Sequence, residues 1–396
     1  MKLAAIICEY NPMHNGHIEH IRYTKETTKC DGLVCVMSGN FVQRGEPSIL
    51  DKYTRTEAAL RYGADMVVEL PTVFAVAGAD IFADGAVRVI NQIKNINWLS
   101  FGSESGDIDE LTNAAKILAV ETPEFKKAIK DGLDLGCSYP KAVSVAAEKC
   151  FGEELGRITS SPNNILAIEY IKALNRHNSP IQPITLKRIG SGYNDTDLKG
   201  EFDSASAIRR AVLSSSWQSV ASIPQDLIDL YIRDSYDFEK ALSAFSDICI
   251  YNIMNSDAKG LKQFYDFKEG IEHRVKDKVK TNHTLESLAL SVKTKRYTLA
   301  RLRRMLLYPT FKITKELMTA AKKCAPYLNV LGVRKDKKEL LEFLTINAIT
   351  RKKDADKITD KDTLDILNVN ILADDIYCQI TRREKGMFFG RGMIIY

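Results

Sequence analysis

Short, nearly continuous apolar runs alternate with helical patterns through the first half of the chain, and this alternation limits the fold more than any other feature. Five of the runs are typical of strands that are covered on both faces: KLAAIICEY, GLVCVMS, ADMVVEL, INWLSFG and IQPITLKRI. Between them, Asp51 is placed to cap a helix that ends at Gly63, and Ile81, Val87 and Ile90 have helical spacing. Strands that alternate with helices in this way predict an α/β fold with a parallel sheet and right-handed crossovers.

The second half of the chain has a different pattern. After about residue 210 strands become scarce, and helical patterns such as QDLIDLYIRD and DFEKALSAFSDICIYNIM dominate. Residues 261–320 carry fourteen Lys and Arg against six Asp and Glu, in a chain whose net charge is only +5. Such a segment favours a polyanionic partner, although it also fits a solvated helical face. We predict an α/β domain over residues 1–210 and a mostly helical, basic domain over residues 211–396.

Composition argues against several classes of protein. No window approaches the ~20 uninterrupted apolar residues of a membrane-spanning helix, and the apolar run from Leu3 to Ile7 is too short for a secretion signal. The eight cysteines are scattered, without a CxxC pair or a Cys/His knuckle, which fits reduced thiols better than a disulfide or zinc framework. We therefore expect a cytoplasmic protein that binds no membrane, and we assign no metal ligands.

The first predicted strand leads directly into a loop that is crowded with histidines. Residues 4–21 read AAIICEYNPMHNGHIEHI, which places His14, His17 and His20 around Gly16. In parallel sheets, ligands bind beyond the carboxyl ends of the strands, where the loops YNPMHNGH, SGNFVQRG and GSESG are expected. A strand-to-helix turn with a glycine offers free amides and the positive end of a helix to phosphate. We predict that His14 and His17 face a triphosphate and stabilise the charge that develops in the transition state.

Other interpretations of these polar residues remain open. The three histidines could ligate a metal ion together with Cys8, although no HExxH-like pair accompanies them. They could also serve only to cap a helix. Arg44, Lys52 and Arg55 follow the second strand, and they fit a phosphate contact and a solvated helical face equally well.

Two motifs resemble the signatures of a known superfamily. EYNPMHNGH resembles the (F/Y)xPxHxGH signature of the nucleotidyltransferases, which are relatives of the class I aminoacyl-tRNA synthetases with a HIGH motif. SASAIRR at residues 204–210 resembles their second signature, ISSTxIR. The resemblance implies a Rossmann-like nucleotidyltransferase domain with His14 and His17 as catalytic residues at the triphosphate. It places Ser206 and Arg209 at the far end of the same triphosphate.

Longer segments of the chain resemble one particular family within this superfamily. The chain is similar to the bacterial tRNA(Met) cytidine acetate ligase family in SGNFVQRGEPSILDKYTRTEAALRYGADMVVELPTVFA, SFGSE, SSPNNILAIEYIKAL and KRIGSGYND. The similarity implies an enzyme that adenylates acetate with ATP, accompanied by Mg²⁺, and then acetylates N4 of the wobble cytidine of elongator tRNA(Met). It implies no stable protein partner. The ATP site that it implies contains Ile7, Cys8, Glu9, Tyr10, Asn11, Pro12, Met13, His14, Asn15, Gly16, His17, Ile18, Glu19, His20, Gly102, Asn163 and Arg188, with Ser206 and Arg209 from the second motif.

A basic helical pattern near residue 300 is predicted to contact tRNA. In SVKTKRYTLARLRRMLLY, Leu299, Leu302 and Leu306 share one helical face, and basic residues fall on the opposite face. Such a helix can pack against a core and bind an RNA backbone at the same time. The predicted phosphate contacts come from Lys293, Arg296, Arg301 and Arg304.

Two other functions fit parts of the sequence. One is a nucleotidyltransferase that adenylates a small phosphate ester, but a small substrate has no use for a large cationic domain. The other is a tRNA-binding protein with an inactive nucleotide site, but the intact His14-Asn15-Gly16-His17 argues against it. Adenylation of acetate needs no general base, because acetate is already ionised at neutral pH. Acetyl transfer to a cytosine amine does call for a base, which the sequence does not identify.

Overall fold

A mostly parallel sheet forms the centre of the computed structural model, which describes residues 1–120, 122–188, 200, 203–214, 216–324, 327–345 and 348–396. The strands are β1 (Leu3–Cys8), β2 (Gly32–Ser38), β3 (Phe41–Val42), β4 (Glu46–Pro47), β5 (Met66–Leu70), β6 (Ile96–Ser103), β7 (Gln182–Lys187), β8 (Leu328–Val333), β9 (Ala348–Ile349) and β10 (Ile394–Ile395). The order in the main sheet is β10-β8-β5-β2-β1-β6-β7, with β9 beside β8, while β3 and β4 form a separate hairpin. The α/β prediction is confirmed.

Helices surround the sheet and make up most of the later part of the chain. They are α1 (Asn15–Thr28), α2 (Lys52–Arg61), α3 (Thr72–Ala75), α4 (Ala79–Asn91), α5 (Ile108–Ala119), α6 (Pro123–Asp134), α7 (Tyr139–Phe151), α8 (Glu153–Thr159), α9 (Pro162–Arg176), α10 (Ala205–Ser214), α11 (Gln225–Asp234), α12 (Phe238–Asn255), α13 (Ala258–Leu261), α14 (Ile271–Lys278), α15 (Leu285–Val292), α16 (Leu299–Phe311), α17 (Lys315–Ala321), α18 (Lys361–Ile380) and α19 (Met387–Gly390). Short 3₁₀ segments lie at Trp217–Ser219, Lys335–Phe343 and Lys352–Lys357. Within the ranges given above, no helix is long and apolar enough to cross a membrane.

The central strands are buried on both faces, as their continuous apolar sequences predict. Every residue of β2 is buried, and residues 3–6 of β1 are at most 1% exposed. Burial of a large aliphatic side chain stabilises the fold by about 1.5 to 3 kcal/mol. The predicted cap is also present, since the Asp51 carboxylate accepts hydrogen bonds from the N–H groups of Tyr53 and Thr54 at 2.8 and 2.9 Å. The end of IQPITLKRI and most of KRIGSGYND fall outside the described residues.

The strand order creates a crevice beside β1. From β1 the chain crosses through α1 to β2 on one side, whereas β6 on the other side is reached through α4 and leads through α9 to β7. Right-handed crossovers that run in opposite directions place α1 and α9 on opposite faces of the sheet. Ligands of open α/β sheets bind at such a switch point, beyond the carboxyl ends of the strands.

The sheet also draws strands from the second half of the chain, which the sequence did not lead us to expect. β8 pairs antiparallel with β5, where Val67 lies opposite Gly332, and β9 and β10 flank β8. These runs are two to six residues long, too short to be separated from helical patterns by periodicity alone. The domain division at residue 210 stays a prediction, and the described sheet contains strands from both sides of it.

The positions of Lys52 and Arg55 in α2 fit neither of the predicted roles, a phosphate contact or a solvated helical face. Lys52 and Arg55 are buried, so neither faces solvent or the cavity described below. Lys52 Nζ lies 2.9 Å from Glu69 Oε1 and 2.6 Å from Asp374 Oδ2. Arg55 donates hydrogen bonds to four backbone carbonyl oxygens, those of Glu9, Ser38, Gly39 and Leu50. Because these acceptors satisfy the guanidinium, Arg55 joins the loops that follow β1 and β2.

Candidate active site

A cavity of about 220 Å³ lies at the switch point beside β1. It brings together residues that were predicted for the ATP site: Ile7, Cys8, Glu9, Tyr10, Asn11, His14, His17, His20, Gly102, Asn163, Arg188, Ser206 and Arg209. A second cavity of about 310 Å³ adjoins it and adds Gly16 and Glu19. The two motifs therefore meet in space, although Asn11 and Arg209 are 198 residues apart in sequence.

Four predicted residues are not part of either cavity wall: Pro12, Met13, Asn15 and Ile18. Met13 is fully buried, and its carbonyl oxygen accepts a hydrogen bond from the Tyr231 hydroxyl at 3.1 Å. The backbone N–H of Asn15 donates to the carbonyl of Ser222 at 2.8 Å. The loop and the helical turn direct these residues toward the neighbouring structure, so a contact from them to a nucleotide stays a prediction.

His14 and His17 close the first turn of α1 with their ring nitrogens. His14 is the N-cap, and its Nδ1 accepts the N–H of Gly16 at 3.2 Å. His17 reaches back, and its Nδ1 accepts the N–H of His14 at 3.3 Å. The centroids of the two rings are 3.8 Å apart. Since a neutral imidazole carries one proton, an accepting Nδ1 places that proton on Nε2 in both rings.

The surroundings of the histidines favour their neutral form. Burial, followed by the positive charge of Arg188, lowers the pKa of His14 to about 3 and that of His20 to about 4. Burial also holds the pKa of His17 well below its usual value, with smaller contributions from His14 and Arg188. At neutral pH the rings are therefore neutral donors. Among the described residues, neither His14 Nε2 nor His17 Nε2 has a hydrogen-bond partner.

His20 is held by the sheet. Its Nε2 lies 2.9 Å from the hydroxyl oxygen of Ser100 on β6, and the same oxygen lies 2.7 Å from Thr24 Oγ1. These contacts join α1 to β6 and set the distance between the helix and the strand. In the part of the chain that the structure describes, no group of three His, Cys, Asp or Glu side chains could hold a metal ion. The metal-ligand interpretation of the histidines therefore has no geometric support there.

The second motif docks on the first through Arg209. One guanidinium nitrogen of this α10 residue donates to the carbonyl of Asn11 at 2.7 Å, and the other donates to Glu46 Oε1 at 3.1 Å. Glu46 lies on β4, and the turn between β3 and β4 supplies Gln43 and Arg44 to the cavity wall. These contacts fix a cationic group beside the loop that carries the histidines.

A reciprocal clamp that sequence reasoning missed positions Asn163. The Asn163 amide donates to Glu104 Oε1 at 2.7 Å, and the backbone N–H of Asn164 donates to Glu104 Oε2 at 2.8 Å. In return, Asn164 Oδ1 accepts the N–H of Glu104 at 2.9 Å. The carboxylate thus satisfies the free amides at the start of α9. The sequence placed GSESG in a loop beyond a strand, and the resemblance placed Asn163 in the ATP site, but neither predicted this contact, because a pairing across about 60 residues has no periodic signal. Other wall residues were not predicted either: Ile6, Gln43, Phe82, Phe101, Leu166, Tyr170, Ser204 and Ala205.

Two of the residues predicted to contact tRNA already have partners within the protein. Arg301 donates two hydrogen bonds of 2.6 Å to the Asp266 carboxylate, and its guanidinium lies 4.4 Å from the ring centroid of Tyr297. Arg304 donates to the backbone carbonyl of Gln43 at 3.2 Å. Arg301 therefore forms an ion pair within the protein, and Arg304 joins α16 to the turn that borders the cavity.

The other two predicted residues are more exposed. Lys293 is exposed and ends α15, so it does not belong to the α16 face on which we predicted it. Arg296 is about half exposed and lies 3.6 Å from Asp134, an equally exposed residue at the end of α6. The apolar face of α16 is confirmed, since Leu302 and Leu306 are fully buried.

Comparisons with known proteins agree with the site. The HIGH Nucleotidyl Transferase family model matches residues 1–388. A protein of Thermoanaerobacter sp. strain X514 named tRNA(Met) cytidine acetate ligase is 42% identical over 86% of this chain and 85% of its own. A protein of the same name from Clostridium perfringens strain ATCC 13124 is 38% identical over 95% of each chain. Thermotoga maritima TmcAL bound with alpha-thio ATP is a similar solved structure, with a TM-score of 0.89 and 30% identity over 100% of this chain and 99% of that one. The chain therefore belongs to the HIGH nucleotidyl transferase family and, within it, to the tRNA(Met) cytidine acetate ligase family of enzymes.

Proposed function

We propose that this protein activates acetate with ATP as acetyl adenylate and transfers the acetyl group to N4 of the wobble cytidine of elongator tRNA(Met). The observation that carries the proposal is the pair of neutral histidines, His14 buried and His17 half-buried, whose Nδ1 atoms accept hydrogen bonds from the helix backbone and whose Nε2 atoms have no partner among the described residues. The names of the relatives support the choice of acetate and tRNA(Met). We also propose that the reaction takes place in the cytoplasm.

Capping and catalysis are compatible roles for His14 and His17. Each backbone N–H bond fixes the plane of a ring and its tautomer, so no reorganisation is needed when charge develops on the phosphorus oxygens. A neutral Nε2–H donor stabilises that charge without adding a proton to the leaving group. The helix cap therefore prepares the donors, and the two interpretations of the histidines become parts of one arrangement.

Cations of the cavity suit a triphosphate. Arg188 and Arg209 line the same wall as the histidines, and the positive end of α1 lies beside them. Adenylation requires that the acetate oxygen be aligned with the α-phosphorus and that the departing pyrophosphate be neutralised. The alpha-thio ATP that is bound to the Thermotoga relative supports ATP as the nucleotide.

Mg²⁺ enters the proposal only with the nucleotide. The described residues offer no group of three ligating side chains. Mg²⁺ therefore has no assigned ligands among the described residues.

We propose that residues 211–396 form the surface that binds tRNA, which we call the tRNA platform. The local charge of residues 261–320 suits the phosphates of an RNA backbone, whose contacts position the RNA without reading its sequence. Lys293 and Arg296 are the exposed cations of the predicted set. Arg301 and Arg304 support this surface without contacting tRNA, because the guanidinium group of Arg301 binds Asp266 and that of Arg304 binds the backbone of Gln43.

The test is acetylation of defined RNA. Purified protein is incubated with ATP, labelled acetate and an elongator tRNA(Met) transcript, and the nucleosides are analysed by mass spectrometry. The proposal expects N4-acetylcytidine at the wobble position, and none in a transcript whose wobble cytidine is replaced by uridine. AMP transfer to a small phosphate ester, without acetylation of tRNA, would instead establish the other nucleotidyltransferase activity.

A further inference from the structure

The two cavities meet at the histidines and continue on opposite faces of the sheet. They share His14, His17, His20, Gly102, Arg188 and Ser204. The second cavity runs from there between α1 and the end of β7, where Lys187 and Glu19 border it. The first cavity instead reaches α4 and α9, which pack on the other face. With phosphate at the shared histidines, the second cavity and the end of the first cavity at α4 and α9 are two separate spaces.

The end of the first cavity that reaches α4 and α9 suits a planar base. Its wall there contains the side chains of Phe82, Phe101, Leu166 and Tyr170, and the rings of Phe101 and Tyr170 have centroids 5.6 Å apart. Aromatic and aliphatic side chains are what enclose a nucleobase that has been extruded from its stack. We name this part the acceptor chamber.

Glu9 is the acidic side chain that the described residues contribute to the first cavity. Its Oε1 accepts the backbone N–H of Gln43 at 2.8 Å, which fixes the carboxylate and leaves Oε2. Burial raises the pKa of Glu9, and the Gln43 N–H, Arg209 and Arg44 oppose that rise. A fixed carboxylate with a raised pKa is a stronger base than an exposed one.

Other titratable groups along the described walls of the two cavities are poorly suited to take a proton. The histidines have low pKa values, because burial and Arg188 disfavour their charged form. Burial raises the pKa of Cys8, Tyr10 and Tyr170, so these groups are protonated at neutral pH. Glu19 and Asp203 border only the second cavity. Glu9 is the carboxylate that the geometry leaves in the acceptor chamber.

We propose that the acceptor chamber receives the wobble cytosine and that Glu9 accepts its N4 proton during acetyl transfer, an inference that rests on the proposed function. The N4 lone pair attacks the carbonyl carbon of acetyl adenylate, and a carbon–nitrogen bond forms. The bond between that carbon and the phosphate oxygen breaks, and AMP leaves with the electron pair. The N4 proton passes to Glu9 Oε2 and from there to water.

The test separates the two half-reactions in Glu9→Gln. Glutamine keeps an oxygen for the N–H of Gln43 but cannot take a proton at neutral pH. Acetyl transfer from preformed acetyl adenylate to tRNA(Met) is measured in single turnovers, beside acetate-dependent pyrophosphate exchange without tRNA. Transfer should fall by about a hundredfold or more, as for loss of a general base, and it should fall at least roughly tenfold further than exchange, which can itself decline because Glu9 lines the cavity predicted for ATP. Glu9→Asp, which keeps a carboxylate, should recover part of the transfer rate.

Each other outcome counts against Glu9. Equal losses in transfer and exchange would limit the role of Glu9 to the ATP or acetate site. Unchanged transfer would mean that AMP or water, and not Glu9, takes the N4 proton. The pH profile supplies a second readout, because transfer by the unmodified protein should decline as pH falls through the Glu9 pKa, and Glu9→Gln should lack that decline. If Glu9→Gln does not fold, the shifted profile of Glu9→Asp decides. Absent exchange in the unmodified protein would contradict the proposed function itself.

Discussion

The Nδ1 atom of His17 lies 3.3 Å from the backbone nitrogen of His14 and accepts its hydrogen. This contact ties the chemistry of the site to the start of a helix. The ring that is proposed to stabilise phosphate charge is held by the backbone of its neighbouring histidine. A change in either residue therefore affects the cap and the site together, and tests of function need variants that separate the two.

His17→Ala removes the ring that caps the first turn of α1 and that is proposed to stabilise phosphate charge. We expect the turnover of adenylate formation to fall by about a hundredfold or more, with a smaller effect on ATP binding, because the lost hydrogen bond strengthens in the transition state. Pyrophosphate exchange and equilibrium binding of ATP are the two measurements. Normal turnover with a lower melting temperature would limit His17 to capping.

His14→Asn is the matched control for the cap. Asparagine is a favoured N-cap, so the melting temperature should change little, whereas exchange should still fall because the short amide does not reproduce Nε2–H. Retained exchange in His14→Asn would contradict a catalytic role for the His14 ring.

Acidification should destabilise the fold through the three histidines. In the unfolded chain they bind protons below about pH 6.5, whereas burial keeps the pKa of His14 at about 3 and that of His20 at about 4 in the native state. Between about pH 6.5 and pH 3 the unfolded state therefore binds more protons than the native state. For this reason the histidine contribution to the free energy of unfolding is complete above about pH 6.5 and declines as the pH falls below it. At pH 5.5 each histidine costs on the order of 1 kcal/mol. Urea unfolding at pH 7.5 and 5.5 checks this, and His20→Gln should show a smaller loss than the unmodified protein.

The pairing of Arg301 with Asp266 is predicted to be structural. Arg301→Ala and Asp266→Ala should each lower the free energy of unfolding, and the double variant should lose less than the sum of the two. A partly buried bidentate pair should give a coupling of roughly 1 to 2 kcal/mol. Additive effects in this double-mutant cycle would remove the ion pair from the account and return Arg301 to the set of free phosphate ligands.

Contact with tRNA is assigned to the exposed cations. Replacing Lys293 and Arg296 with Ala should weaken tRNA binding and lower its salt dependence by a slope of roughly one for each lost contact. Acetate-dependent exchange should not change, because adenylation needs no RNA. Filter binding at several salt concentrations measures the slope. An unchanged slope would exclude these two residues from the platform.

Local patterns predicted the elements of the fold better than its long-range contacts. β1, β2 and β5 could be predicted because their apolar runs are continuous, and Asp51 because a cap is recognised from adjacent residues. The histidine loop was found by spacing and by its place after a strand.

Partners that are distant in sequence could not be predicted. Lys52 and Asp374 are 322 residues apart, and nothing in DKYTRTEAAL shows that its cation is neutralised by a later helix. Helical spacing separated Arg301 from the apolar face of its helix, but its partner Asp266 precedes it by 35 residues and lies outside that helix. Such pairings depend on how the helices pack, which residue spacing does not encode.

Acetate-dependent exchange of pyrophosphate into ATP, in the absence of tRNA, is the decisive measurement. If the histidines of α1 act in the adenylation of acetate, exchange should require acetate, should be absent with phosphate-ester acceptors and should fall by about a hundredfold in His17→Ala. Exchange that requires a phosphate ester, or that persists unchanged without the His17 ring, would contradict that role.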